Sequence, residues 1–314
     1  MKDFSFIPGM IEPVEQTMLQ DVCSKINLNP SDVIIEYGSF FGRSTNCIIE
    51  GLVNNKTYSK KELLLVYDSF KCNHEGSFNK YVQAFAKMGK VESLIKKDNS
   101  FINFREIFNH YIADNIPMEI HECELHEIKP ISNSIAFMHI DCPKYYSEFK
   151  YIFNNHFGNL KPGSVIIFQD FFYHWSATLI AVVELLIQKK FIELNETAAS
   201  SIKTTVLKSF SIANIEEIND IMSSIDINNT LEQSILRLSN QQNIIDRIHN
   251  FLPRLMLANI QYYYQQGNIK EANRHWNNYL NNYPQIEQSV INDLAELKSF
   301  NFSMRNLYEL DHSL

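Results

Sequence analysis

From Asp32 to Phe210 the chain alternates short, continuously apolar, β-branched runs with stretches of helical period. No other feature constrains the fold as tightly. A run such as Val33-Ile34-Ile35 has no polar face, so it must be covered on both sides. Strands of that kind, separated by helices, build a parallel sheet with helices on both faces. Five runs read as strands: Val33 onward, Leu63 to Tyr67, Met118 to Glu122, Ile135 to Ile140, and Ser164 to Phe168 behind a Lys161-Pro162-Gly163 turn. Two last strands are expected near Phe191 to Leu194 and Lys203 to Leu207. Helices are expected over Arg43 to Val53, Phe78 to Met88, Phe101 to Ala113, Tyr145 to His156 and Ala177 to Gln188. The fold class is therefore α/β, a doubly wound, mostly parallel, seven-stranded sheet. In such sheets ligands bind outside the carboxyl ends of the strands.

From about Ile215 the pattern becomes all-helical, which divides the chain into residues 1–214 and 215–314. Thr230-x-x-Gln233 reads as a capping box before Ile235, Leu238, Ile245, Ile248 and Leu252. Pro253 to Pro284 reads as one tetratricopeptide-type hairpin. Tyr263 and Tyr264 end its first helix, Gly267 makes the turn, and Ala272 and Trp276 line the second helix. One hairpin is not a solenoid, which needs about three repeats. Its expected role is packing on the main domain or on a second subunit, giving a homo-oligomer.

Charge narrows the partners. The net charge is −8, and 12 acidic against 7 basic residues between Ile215 and Leu314 place −5 of it in the helical region. A nucleic-acid binder carries a basic field or stripe, and none is visible. Nucleic acid and anionic membrane are therefore not expected partners. No run approaches about 20 apolar residues, as a membrane helix requires. Met1 to Glu15 has charges and prolines rather than a signal-peptide pattern. The five scattered cysteines suit reduced thiols, so a cytoplasmic location is expected.

The strand ends carry the chemistry. The first strand runs into Glu36-Tyr37-Gly38-Ser39-Phe40-Phe41-Gly42-Arg43-Ser44. The chain has only nine glycines, and two of them fall four residues apart beside Glu36. Gly38 would permit a tight turn and Gly42 a close ligand approach. Phe40 takes the middle position of what would otherwise resemble a dinucleotide loop, which weakens a nicotinamide reading. The second strand ends in Tyr67-Asp68-Ser69-Phe70. Asp68 lies where an acidic residue can bind ribose hydroxyls. The fourth strand ends in His139-Ile140-Asp141-Cys142-Pro143-Lys144-Tyr145 and the fifth in Phe168-Gln169-Asp170. Asp141 and Asp170 should converge at the centre of the sheet. His121, Cys123 and His126 lie close together, but no second cluster with zinc spacing follows them.

These motifs, in this order, resemble the S-adenosylmethionine-dependent methyltransferases of the seven-stranded Rossmann-like type. Within that group the chain is most similar to the macrocin O-methyltransferase-like enzymes of natural-product sugars. The resemblance covers about Asp32 to Leu207 and omits the helical region. It implies O-methylation of a small-molecule hydroxyl, with S-adenosylmethionine as cofactor and magnesium as a further one. It implies cofactor contacts from Glu36, Gly38, Ser39, Gly42, Ser44, Asp68, Ser69 and Asp141, with Cys123-Glu124-Leu125 near the adenine. Asp141 and Asp170 match metal-binding positions of relatives, and Lys144 matches a catalytic base. Asp141 and Lys144 are thus expected catalytic residues, and His174, after Asp170, is a second base candidate with a suitable unperturbed pKa. Gln169 and Pro143 stand where relatives often carry further acids. Next to Asp141, Lys144 would tend to stay charged, and an ion pair with Asp141 is its alternative role. Lys71 to Lys97 and the helical region are expected to shape the acceptor pocket. Two rival functions are a non-catalytic, partner-recruiting module on the same fold and a nicotinamide-dependent oxidoreductase.

Overall fold

A computed structural model describes residues 1–98, 100–113, 115–172, 176–239 and 252–282. Helix α1 (Pro13–Lys25) precedes β1 (Val33–Tyr37), α2 (Arg43–Val53) and β2 (Leu63–Asp68). An insertion follows, made of β3 (Lys71–Asn73), α3 (Ser77–Gly89), β4 (Lys96–Lys97), β5 (Phe101–Asn103) and α4 (Arg105–Tyr111). Then come β6 (Met118–Glu122), β7 (Ile135–Ile140), α5 (Tyr146–His156), β8 (Leu160–Phe168), α6 (Ala177–Gln188), β9 (Ile192–Ala198) and β10 (Ser201–Val206). Among the described residues, four helices follow: α7 (Ile212–Ser224), α8 (Ile227–Ser239), α9 (Leu252–Gln265) and α10 (Ile269–Asn282).

The main sheet has seven strands in the order β6-β2-β1-β7-β8-β10-β9. Strands β6, β2, β1, β7 and β8 pair in parallel, and β10 runs antiparallel to both of its neighbours. This is a mostly parallel Rossmann-like α/β sheet followed by helices. Strand β1 is apolar on both faces because both faces are covered. Val33, Ile35 and Tyr37 enter one apolar layer and Ile34 the other. Helices α1, α2 and α4 cover the Ile34 side, while α5, α6 and the C-terminal helices cover the opposite side. Leu231 and Leu238 of α8, Leu255 and Ile260 of α9 and Ala272 of α10 share one core with Phe153 and Leu186. Phe149, Phe153, Phe157 and Phe168 are fully buried in that core. Each stabilises the fold by roughly 1.5–3 kcal/mol through area removed from water.

Chain order reverses at β1, since β2 lies on one side of it and β7 on the other. The crevice above the β1 and β7 carboxyl ends is the topological switch point, where such sheets take ligands.

Three local expectations change. Phe101–Asn103 is strand, not helix, and joins β3 and β4 in a small antiparallel sheet ordered β3-β5-β4. Its short period-2 run is masked by the helical pattern that follows it. Lys161-Pro162-Gly163 lies inside β8 as an irregularity, with Ile135 opposite Leu160 but Phe137 opposite Val165. Tertiary partners hold it: Lys161 Nζ meets Asp32 Oδ2 at 2.6 Å, and Ser164 Oγ donates to the Ile135 carbonyl at 2.6 Å. Thr230 is interior to α8 rather than its cap. Its hydroxyl donates to the Asp226 carbonyl, and the Asp226 side chain accepts from Asn229 N at 3.0 Å. Helix α1 was not foreseen in the sequence pattern. Helices α9 and α10 do form a hairpin turning at Gly267, but one hairpin does not establish tetratricopeptide character. Pro284 lies outside the described residues, as do Ile245 and Ile248. Among the described residues no helix is long and apolar enough to cross a membrane.

Candidate active site

The β1–α2 loop adopts the conformation its glycines allow. Gly38 has φ +83° and Gly42 has φ +89°, where a side chain would be strained. A Cβ on Gly38 would stand 2.8 Å from the backbone nitrogen of Cys142, so the glycine lets the β1 and β7 ends close on each other. A Cβ on Gly42 would stand 2.9 Å from Ile112 Cδ1. The space a Gly42 side chain would need is thus taken by Ile112 and Phe108. Phe40 also takes a left-handed conformation, φ +50°, and stacks on Phe41 with ring centroids 4.0 Å apart.

Asp68 binds this loop from the end of β2. Its Oδ2 accepts from Ser39 N at 2.8 Å and Phe40 N at 2.9 Å, and its Oδ1 from Phe70 N at 2.7 Å. Burial pushes the Asp68 carboxyl up to about 6, against the lowering effect of those amides. Oδ1 accepts one of the two bonds open to a carboxylate oxygen, which leaves capacity for a hydroxyl. The segment after β6 reaches the same corner, with Cys123 N donating to the Asp68 carbonyl at 3.1 Å. The β3–β5 insertion leaves and returns here as well, through Phe104 N on the Phe70 carbonyl at 2.8 Å. Ser69 Oγ reaches only the Lys71 carbonyl, at 3.5 Å.

Beside the loop, a small cleft is lined by Gly9, Met10, Ile11, Ser39, Ser44 and Asp141, among others. Its outer wall is the N-terminal segment, held by Arg43. That guanidinium donates to the carbonyls of Ile7 at 2.6 Å and Ile11 at 2.9 Å. No side chain caps α2, and its first turn contains no acidic residue. The free amides of such a helix start favour an anionic group. Ser44, in the first turn, is buried at the cleft.

Glu36 does not line this cleft. It is fully buried, with one oxygen accepting from Thr45 Oγ1 and the other 3.2 Å from His139 Nδ1. The second imidazole nitrogen of His139 lies 2.8 Å from Gln169 Oε1. Burial opposes charge on His139, but Glu36 beside it outweighs that and raises its pKa. Thr45, Glu36, His139 and Gln169 therefore form one buried polar chain across β1, β7 and β8.

Asp141 and Asp170 come together, with Lys144 between them. Lys144 Nζ is 3.1 Å from Asp141 Oδ1 and 2.9 Å from Asp170 Oδ2, and it also donates to the Asp141 carbonyl. Burial would lower the Lys144 pKa, but Asp170 and Asp141 outweigh it and drive it upward. The structure thus shows the ion pair with Asp141 that was the alternative role of Lys144, and extends it to Asp170. The expected magnesium pair also changes character, because a cationic side chain already bridges it. Among the described residues no group of three or more His, Cys, Asp or Glu side chains could hold a metal ion, and this includes His121, Cys123 and His126. His174 lies outside the described residues.

The pattern of the sequence did not point to Glu15. It is buried in α1, where its Oε1 accepts from Ser201 Oγ at 2.7 Å and lies 3.2 Å from Ser200 Oγ. Ser200 Oγ is in turn 3.0 Å from Asp170 Oδ1. The available signal was Glu12-Pro13-x-Glu15, a capping-box spacing with proline at the first helical position. Burial pushes the Glu15 carboxyl from the usual 4.5 up to about 7. The folded state thus holds this proton more tightly than the unfolded state. Stability falls as pH rises from 4.5 through 7, by up to about 3 kcal/mol from this group. Glu15→Gln is expected to melt higher than wild type at pH 8 and to lose that advantage near pH 4.5. Parallel melting curves at the two pH values check it.

No family model matches the chain, and no curated protein matches it. Solved structures do. The TDP-rhamnose 3′-O-methyltransferase of calicheamicin biosynthesis is 16% identical, over 62% of this chain and 81% of that one, with a TM-score of 0.40. The O-methyltransferase NovP is 14% identical, over 65% of this chain and 83% of its own, at 0.42. An SAH-bound methyltransferase from Podospora anserina is 14% identical, over 64% and 80%, at 0.39. Likeness at this level assigns no chemistry.

Proposed function

We propose that the chain is an S-adenosylmethionine-dependent methyltransferase acting on a hydroxyl of a small molecule, such as a sugar or other natural product. The supporting observation is the cleft at the β1/β7 switch point, where the uncapped start of α2 and Asp141 stand on one side of the loop and Asp68 on the other. These residues suit the two ends of that cofactor. The α2 amides favour its carboxylate and Asp141 its ammonium, while Asp68 Oδ1 accepts from a ribose hydroxyl. The bound cofactor supplies an electrophilic sulfonium methyl. The chain's own contribution is then mainly alignment, because such a methyl needs little further activation. The N-terminal wall held by Arg43 keeps water from one side of the cleft.

Isothermal titration with S-adenosylmethionine, S-adenosylhomocysteine and a nicotinamide dinucleotide tests this reading. Saturable binding of the first two without the third is expected. No binding of either adenosyl compound would overturn it.

A further inference from the structure

Two neighbouring carboxylates repel each other unless a cation lies between them. Here the cation is part of the chain. We propose that Lys144 is the resident cation of this site and that it occupies the place a divalent metal would take between Asp141 and Asp170.

The donor inventory carries the argument. An ammonium has three protons to give. Those of Lys144 go to Asp141 Oδ1, Asp170 Oδ2 and the Asp141 carbonyl. A hard divalent cation wants about six oxygen ligands. The oxygens a metal would recruit already carry hydrogen bonds within the chain. Asp170 Oδ1 is 3.0 Å from Ser200 Oγ. Gln169 Oε1 is 2.8 Å from the buried His139 ring, in the core chain that continues through Glu36 to Thr45. Pro143, two residues after Asp141, has no side-chain oxygen to offer. Among the described residues only Asp141 Oδ2 of the two carboxylates is left without a hydrogen bond.

The chain also places the lysine there by its local structure. Lys144 is three residues beyond Asp141, in the loop that turns into α5, and its backbone N–H donates to Glu148 Oε2 at 2.9 Å. That anchor directs the loop back over the end of β7. Asp170 adopts φ +55°, a left-handed conformation that aspartate tolerates better than most residues. The reversed backbone brings its carboxylate to the same ammonium. Both members of each pair are about four-fifths shielded, with side-chain exposures of 21–23%, so the attraction is only weakly screened.

The cation argument needs no cofactor. Resting on the methyltransferase reading, it adds one consequence: the cation that bridges Asp141 and Asp170 belongs to the chain itself.

Manganese titration followed by electron paramagnetic resonance tests the proposal on the intact chain, with neither cofactor nor acceptor. Its outcome is therefore separable from that of the adenosyl titrations. Wild type is expected to show no saturable manganese site. Lys144→Met removes the internal cation and leaves two adjacent carboxylates. It is expected to gain affinity by about tenfold or more, because ligand charge tunes such sites. Adding Asp170→Asn to Lys144→Met is expected to abolish the gain. Saturable manganese binding by wild type that Asp170→Asn removes would overturn the proposal. A folded Lys144→Met that gains nothing would also overturn it. Lys144→Gln serves as the second variant if Lys144→Met does not fold, and the wild-type titration stands without either.

Discussion

Asp68→Ala is expected to weaken S-adenosylmethionine binding by at least about tenfold and to lower stability by about 2–4 kcal/mol. The two effects have separate origins. Stability falls because the carboxylate satisfies the backbone N–H groups of Ser39, Phe40 and Phe70, and alanine leaves them without an acceptor. A buried unsatisfied donor costs about 1–3 kcal/mol. Affinity falls because the β1–α2 loop loses its tie to β2 and the ribose loses a charged acceptor. Thermal melting and calorimetric titration of the same preparation measure both. An unchanged melting temperature would contradict the loop-tying role, whatever the cofactor result. Unchanged affinity would contradict the ribose role. Asp68→Asn retains one oxygen, so it should fall between wild type and Asp68→Ala in both measurements.

The largest loss of stability is expected at Glu36. Glu36→Ala should cost about 3–5 kcal/mol, the range for removing one member of a buried ion pair. His139 is completely buried and would keep only Gln169 as a partner, while Thr45 would lose its acceptor. The pH dependence has a definite sign. The folded pKa of His139 is raised above the usual 6.5. The pair's contribution is therefore fully present below 6.5 and is lost as pH rises through the folded value. Urea denaturation at pH 6 and pH 9 should show the Glu36→Ala deficit shrinking at the higher pH. Glu36→Leu combined with His139→Leu should recover part of the loss, because replacing both partners costs less than stranding one. A deficit of equal size at both pH values would argue that Glu36 meets a neutral histidine.

Much of the fold was legible because it depends on local pattern. Val33-Ile34-Ile35 and Ile135 to Ile140 are apolar without alternation, and only a strand covered on both faces uses such a run. Gly267 between two helical periods marked the C-terminal hairpin for the same reason. What escaped were elements held by distant partners. The irregular start of β8 depends on Asp32 and Ile135, and strand β5 depends on β3 and β4. No local window contains those partners.

The candidate site divides in the same way. Placing acids at the ends of β1, β2, β7 and β8 follows from strand periodicity, so Glu36, Asp68, Asp141 and Asp170 could be named from sequence. Their duties could not, because a carboxylate's role is set by what stands within about 3 Å of it. Residue 139 turns Glu36 into a core ion-pair partner, and the amides of Ser39 and Phe40 make Asp68 a loop tie. Lys144 makes Asp141 and Asp170 a bridged pair, and Ser200 and Ser201 bring in Glu15 from more than 180 residues away in sequence. Periodicity and turn chemistry act over a few residues and settle strands, helices and strand ends. Charge, desolvation and hydrogen bonding act through space, and they assign each acid its function only after the sheet has brought its partners together.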